Sequence, residues 1–117
     1  MMSGEGKIIR PWGWYLRTYQ TEGYKTKVFS VEPGKRLSLQ SHEHRKEMWS
    51  IIRGEGLCTI GDNVIKVKED SLVSVPKGVK HRIENISDKC ELIVSEVQIG
   101  DYLEEDDIVR YEDDYRR

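Results

Sequence analysis

Short runs rich in valine, isoleucine, tyrosine and threonine recur along the chain, and glycine, proline, aspartate or asparagine breaks each run. Apolar and polar positions alternate within the runs, which is the pattern of half-buried strands. Strands are predicted over 14–20 (WYLRTYQ) and 24–32 (YKTKVFSVE), joined by a turn at Thr21-Glu22-Gly23. After the break at Pro33-Gly34 come KRLSLQSH (35–42), EMWSIIR (47–53) and LCTI (57–60). Gly61-Asp62-Asn63 is a strong hairpin signal before VIKVK. SLVSV, HRIENI and CELIVSEVQI complete the set. No stretch before residue 100 holds a helical period. About nine short strands at this spacing predict an all-β sandwich or barrel. The expected organisation is one domain over 1–117, with a barrel core at about 14–99. An acidic, aromatic arm follows over 100–117, read as a helical turn, a docked arm or a solvated tail.

Composition narrows the function. The chain has 117 residues, 34% charged and 37% hydrophobic, as expected of one soluble domain. Its net charge of −2 argues against nucleic acid as a partner. No apolar run is long enough to span a bilayer, and the N-terminal MMSGEGKII lacks the apolar region of an export signal. A cytoplasmic location is expected. Cys58 and Cys90 have no metal-type spacing and read as free thiols.

Chemistry concentrates in LSLQSHEHRKEMW, residues 37–49. Strand alternation places Arg36, Ser38, Gln40 and His42 on one face and Leu37 and Leu39 on the other. Glu47 has the opposite parity and joins that face only after a turn. A two-residue turn at Arg45-Lys46 would set His44 across from Glu47, giving His42, His44 and Glu47 as ligands. A loop over 43–46 would set His42 across from Glu47, giving Gln40, His42 and Glu47. Arg-Lys is a poor pair for a tight hairpin, so the longer loop is favoured. A further histidine, His81, follows the Pro76-Lys77-Gly78 turn.

These segments resemble the two motifs of the cupins. The first reads Gly34, five residues, Gln40-Ser41-His42, four residues, Glu47, six residues, Gly54, with Gln40 where the family carries a histidine. The second reads Pro76, Gly78, His81 and Asn85, with Asp70 in place of its leading glycine. A narrower resemblance runs through RPWGWY, LSLQSHEHRKEMW, PKGVKHRIEN, EVQIGDYL and EDDIVRYEDDY. It is to the cupin domain of type II mannose-6-phosphate isomerases, which commonly forms the C-terminal part of a bifunctional guanylyltransferase/isomerase. Here it reads as a stand-alone unit.

The resemblance implies a jelly-roll barrel, a homodimer, and a metal held by Gln40, His42, Glu47 and His81. Such a mixed nitrogen and oxygen set suits zinc, manganese, cobalt, nickel or iron. It also implies interconversion of mannose 6-phosphate and fructose 6-phosphate through an enediol. The proton-transfer base is then Glu96, which shares a strand face with Leu92, Val94 and Gln98, or His44, freed from coordination. Glu96 and Gln98 end an otherwise apolar stripe and read either as a polar pair at a cavity mouth, with Gln98 touching substrate, or as a strand end emerging into solvent. The phosphate requires a cation, and Arg36 leads on parity, with Arg45, Lys46 and Arg82 as alternatives. Lys27 and Arg82 have the parity of outward residues. Trp12 is read as covering a barrel end or a subunit contact, with substrate contact as a lesser role. The alternative function is a non-catalytic module binding a sugar or sugar phosphate beside a separate nucleotidyltransferase. A metal oxygenase is disfavoured by Gln40 and by the absence of an evident apolar substrate pocket.

Overall fold

A computed structural model describes residues 6–115. Within them, eleven antiparallel strands form two sheets. The first sheet runs in the order β1 (Ile8–Arg10), β2 (Gly13–Thr21), β3 (Tyr24–Val31), β10 (Leu92–Gly100), β5 (Arg45–Arg53) and β8 (Leu72–Val75). The second runs β11 (Val109–Glu112), β4 (Leu39–Ser41), β9 (His81–Asn85), β6 (Gly56–Ile60) and β7 (Asn63–Val67). Both predicted hairpins form with two-residue turns. Thr21 pairs with Tyr24 around Glu22-Gly23, and Ile60 pairs with Asn63 around Gly61-Asp62.

The core lies between the sheets. Phe29, Val31, Trp49, Ile51, Val73, Val75, Leu92 and Val94 of the first sheet meet Cys58, Val67 and Ile83 of the second. Trp12, in the turn between β1 and β2, packs edge-on against Phe29. Cys58 is buried in this core, Cys90 is exposed, and both are free. Among the described residues no helix is long and apolar enough to cross a membrane.

Three neighbouring strands change character at the same level, and that change makes the site. Going along the inner face, β3 passes from Val31 and Phe29 to Lys27 and Lys25. β10 passes from Leu92 and Val94 to Glu96 and Gln98, and β5 from Ile51 and Trp49 to Glu47 and Arg45. Ladder register aligns the change: Val94 pairs with Phe29 and Ile51, Glu96 with Lys27 and Trp49, and Gln98 with Lys25 and Glu47. One half of the interior is therefore apolar and the other is charged.

Two expectations are corrected. The strand predicted over 35–42 shortens to Leu39–Ser41, with only an isolated bridge from Arg36 to Glu84 before it. β4 and β5 also form no hairpin, because they lie in different sheets. The arm docks rather than forming a helical turn: Leu103 and Asp107 are buried, and β11 pairs with β4.

The residue at the position where the resemblance expects a glycine has a backbone conformation that favours glycine. Asp70 has φ +74°, a left-handed conformation, and its N–H donates to the Ile51 carbonyl at 3.0 Å. Aspartate tolerates this region better than most residues but carries a steric cost there. Asp70→Gly is expected to raise the unfolding free energy by up to about 1 kcal/mol, and Asp70→Val to lower it by about 1–2 kcal/mol. Urea denaturation reads both.

Candidate metal centre

His42 follows β4, Glu47 lies on β5, and His81 opens β9. All three are buried. Their ligand atoms lie within 4.8 Å of one another. His42 Nε2 is 3.3 Å from Glu47 Oε2, and His81 Nε2 is 3.5 Å from Glu47 Oε1. The Gly78 N–H donates to the His42 carbonyl at 2.8 Å, so the turn carrying His81 is tied directly to the first motif. Gly78 itself has φ +74°, a turn conformation that glycine adopts without strain.

Each imidazole is oriented by its other nitrogen. His42 Nδ1 lies 2.6 Å from the Asp107 carbonyl, and His81 Nδ1 lies 3.0 Å from the Val79 carbonyl. A neutral ring donating from Nδ1 leaves the Nε2 lone pair facing inward, as a ligand must. Burial, then the nearby Arg45 guanidinium, pushes the His42 pKa down to about 4. Burial likewise lowers that of His81. Both rings are therefore neutral at pH 7, the form a cation needs.

The fit to a cation rests on two further observations. His81 Nε2 is buried with no hydrogen-bond partner, a state that calls for an explanation. Arg45 supplies a positive charge to the other two ligands, with Nε 2.8 Å from Glu47 Oε2 and Nη2 3.2 Å from His42 Nε2. The guanidinium thus stands where positive charge is wanted. Gln40 pairs with His81 across the β4–β9 ladder and lines the same cavity as His42 and Glu47, beside the triad.

That cavity, of about 170 Å³, is also lined by Trp12, Tyr15, Lys27, Arg45, Glu96 and Gln98. Glu96 is buried beneath it, its Oε2 accepting from Trp49 Nε1 at 2.9 Å and its Oε1 from Gln98 Nε2 at 2.7 Å. Burial, reinforced by the Glu47 charge, raises its pKa to about 7. Gln98 Oε1 and Arg45 Nη1 are buried without partners.

Three sequence candidates lie elsewhere. Arg36 precedes β4, so strand parity does not govern it, and it forms a two-pronged pair with Asp114 at 2.8 and 3.0 Å. Arg82 points away from the interior, donating to the Leu37 carbonyl and to Glu112 of the arm. His44 is half exposed beside Asp101 and Tyr102. Conversely, Lys27 faces inward. Its parity with Phe29 and Val31 was the available signal.

Asp107 had no such signal. Its carboxylate accepts the backbone N–H groups of Glu43 and His44, both at 3.0 Å, while its carbonyl orients His42. Although burial opposes its charge, those two bonds hold its pKa below the usual range. Asp107→Ala should free the 43–44 loop and weaken metal retention by roughly 10- to 100-fold, read by chelator competition.

Residues 2–113 match the family model described as mannose-6-phosphate isomerase C-terminal. The xanthan biosynthesis protein XanB of Xanthomonas campestris pv. campestris (strain B100) is 44% identical over 111 residues, covering 95% of this chain and 24% of XanB. The mannose-1-phosphate guanylyltransferase ManC of Salmonella typhimurium (strain LT2) is 41% identical over 111 residues, covering 95% of this chain and 23% of ManC. The chain thus spans about a quarter of the length of these relatives. In structure it is similar to the cupin domain of Schizosaccharomyces pombe Cnp3, with TM-score 0.74, 18% identity, and coverage of 80% of this chain and 69% of that one. By fold the chain is a cupin, and it belongs to the mannose-6-phosphate isomerase C-terminal family.

Proposed function

We propose that the chain interconverts mannose 6-phosphate and fructose 6-phosphate, using a divalent metal held by His42, Glu47, His81 and Gln40. The observation that carries this reading is a buried carboxyl poised near neutrality, Glu96, on the same cavity as two of the triad residues. Isomerisation moves a proton between C1 and C2 through an enediol, and a base working at pH 7 needs a pKa close to that value. Ionised Glu96 takes the proton from one carbon and returns it to the other. Trp49 and Gln98 each hold one of its oxygens, which fixes the carboxylate while it works. Gln98 Oε1 and Arg45 Nη1, the unpaired acceptor and donor, are placed to meet substrate oxygens. Zinc, manganese, cobalt, nickel or iron on these ligands would supply Lewis acidity that makes the carbon-bound proton easier to remove.

The direct test is metal-loaded protein with fructose 6-phosphate in deuterated water, followed by NMR. Mannose 6-phosphate should accumulate, with deuterium at C2. Absence of both with every one of the five metals sinks the isomerase reading. A second reading, a binding module acting beside a nucleotidyltransferase, draws on the guanylyltransferase name of a relative four times longer. It predicts binding of the sugar phosphate with no C2 exchange.

A homodimer is part of the same proposal. The outer face of the first sheet carries Leu72, Ile52 and Met48, exposed by 80%, 54% and 41%. Apolar groups of this size on a sheet face favour burial against a second copy. Light scattering should give twice the 13.7 kDa chain mass, and Leu72→Lys with Ile52→Lys should return the monomer.

A further inference from the structure

Two lysines stand side by side on the inner face of β3. Lys25 and Lys27 are 1% and 7% exposed, an unusual burial for this residue type. Both reach the same carboxylate oxygen: Lys27 Nζ lies 2.5 Å and Lys25 Nζ 3.5 Å from Glu105 Oε1. Arg17 Nη2 approaches it at 3.7 Å. Three cations converge on one anion, so the cluster is short of negative charge. Lys25 Nζ also donates to the Leu103 carbonyl, again on the arm.

The partners differ in attachment. The lysines extend from the centre of a six-stranded sheet, with side chains 2% and 9% exposed. Glu105 comes from the arm, outside any strand, and its side chain is 43% exposed. A carboxylate arriving from the solvent side can withdraw without disturbing the sheet. Burial works against its charge, but Lys27, then Lys25 and Arg45, hold its pKa at about 2. The position is therefore strongly favourable to an anion. Lys27 and Glu105 line the cavity that also holds His42, Glu47 and Glu96.

We propose that Lys25 and Lys27 are the seat for the substrate's phosphate, and that Glu105 fills this seat as a built-in anion which the phosphate displaces. A phosphomonoester carries a charge of about −1.5 to −2 at pH 7 and three acceptor oxygens, which suits paired ammonium groups better than one carboxylate does. The seat then anchors one end of the sugar phosphate while the carbons to be isomerised face Glu96. The identity of the ligand as a sugar phosphate rests on the isomerase reading; the anion seat itself rests on the lysines.

Calorimetric titration of the full chain with fructose 6-phosphate, inorganic phosphate and fructose tests this. Fructose 6-phosphate and phosphate should compete for one site, and fructose should bind at least tenfold more weakly than its phosphate. Glu105→Gln should tighten phosphate at least tenfold, and Lys27→Met should weaken it at least tenfold. In the wild-type chain, phosphate should shift the backbone amide resonances of residues 103–106 and of Lys27. The seat is overturned if Glu105→Gln folds and leaves phosphate affinity unchanged or weaker, or if the wild-type shifts fall around Arg36 and Arg82 instead. Phosphate binding that fructose 6-phosphate does not displace also overturns it. Binding at the lysines without C2 exchange defeats only the isomerase reading. Turnover indifferent to Lys27→Met and Glu105→Gln defeats only the seat.

Discussion

Glu96→Gln is expected to cut turnover of fructose 6-phosphate by roughly 100- to 10,000-fold, the range spanned by loss of a general base. Glutamine keeps the shape of the side chain: its amide oxygen accepts from Trp49 Nε1, and its NH2 donates to Gln98 once that amide turns to offer Oε1, so the protein should fold. Metal retention should persist, because Glu96 is not one of the clustered ligands. An active Glu96→Gln variant would remove Glu96 from the reaction.

The same residue fixes a pH dependence. Its raised pKa, about 7, means that the carboxyl is neutral below that pH and ionised above it. As a base it works only when ionised, so kcat/KM should rise with pH and level off above the apparent pKa. Glu47 contributes to the elevation, and a cation on Glu47 offsets that repulsion. In metal-loaded protein the midpoint should therefore fall below 7. Stability moves the opposite way. An acid with a raised folded pKa stabilises the fold fully below its unfolded value, about 4.3, and this contribution is lost as pH rises through about 7. Metal-free protein should accordingly gain stability from this group at pH 5 relative to pH 8, against the loss that the buried neutral His42 and His81 bring at low pH. Glu96→Gln should shift the pH 5 minus pH 8 difference in urea midpoint downward relative to wild type.

The second large effect concerns the ligands. Glu47→Ala should abolish stable metal binding and turnover together, because the Glu47 carboxylate faces His42 with one oxygen and His81 with the other. It should also leave the buried Arg45 without its carboxylate, at a cost of about 3–5 kcal/mol in stability, as for other broken buried pairs. His81→Ala separates these consequences: it removes a ligand whose Nε2 has no other partner and leaves the Arg45–Glu47 pair intact. Metal content by plasma emission should fall in both variants. His44→Ala, altering a half-exposed ring outside the cluster, should retain its metal. Metal loss in His44→Ala with full retention in His81→Ala would reverse the ligand assignment.

Much of the site was legible because each piece carries a local signal. Pro76-Lys77-Gly78 announces the turn that delivers His81, and Asp70 stands in a left-handed conformation that favours glycine. Inner-face parity places Leu92, Val94, Glu96 and Gln98 together, as observed. His42 and Glu47 are neighbours, as the motif spacing implies, but not across a hairpin: β4 and β5 belong to different sheets and the chain crosses between them. Arg36 was misplaced because parity holds only inside a continuous strand, and the strand begins at Leu39.

Apart from the short strands β1 and β11 and the start of β4, sequence alone determined the strands and their turns, the family motifs and which residue types are available for metal and proton chemistry. These depend on neighbours within a few positions, where periodicity and turn preferences act. Tertiary structure decided which polar residues share a cavity. Register sets the charged halves of β3, β5 and β10 at one level, and docking of the arm brings Glu105 and Asp107 to residues more than sixty positions away. Alternation says which face a side chain takes, but contacts between distant segments depend on how whole strands pack.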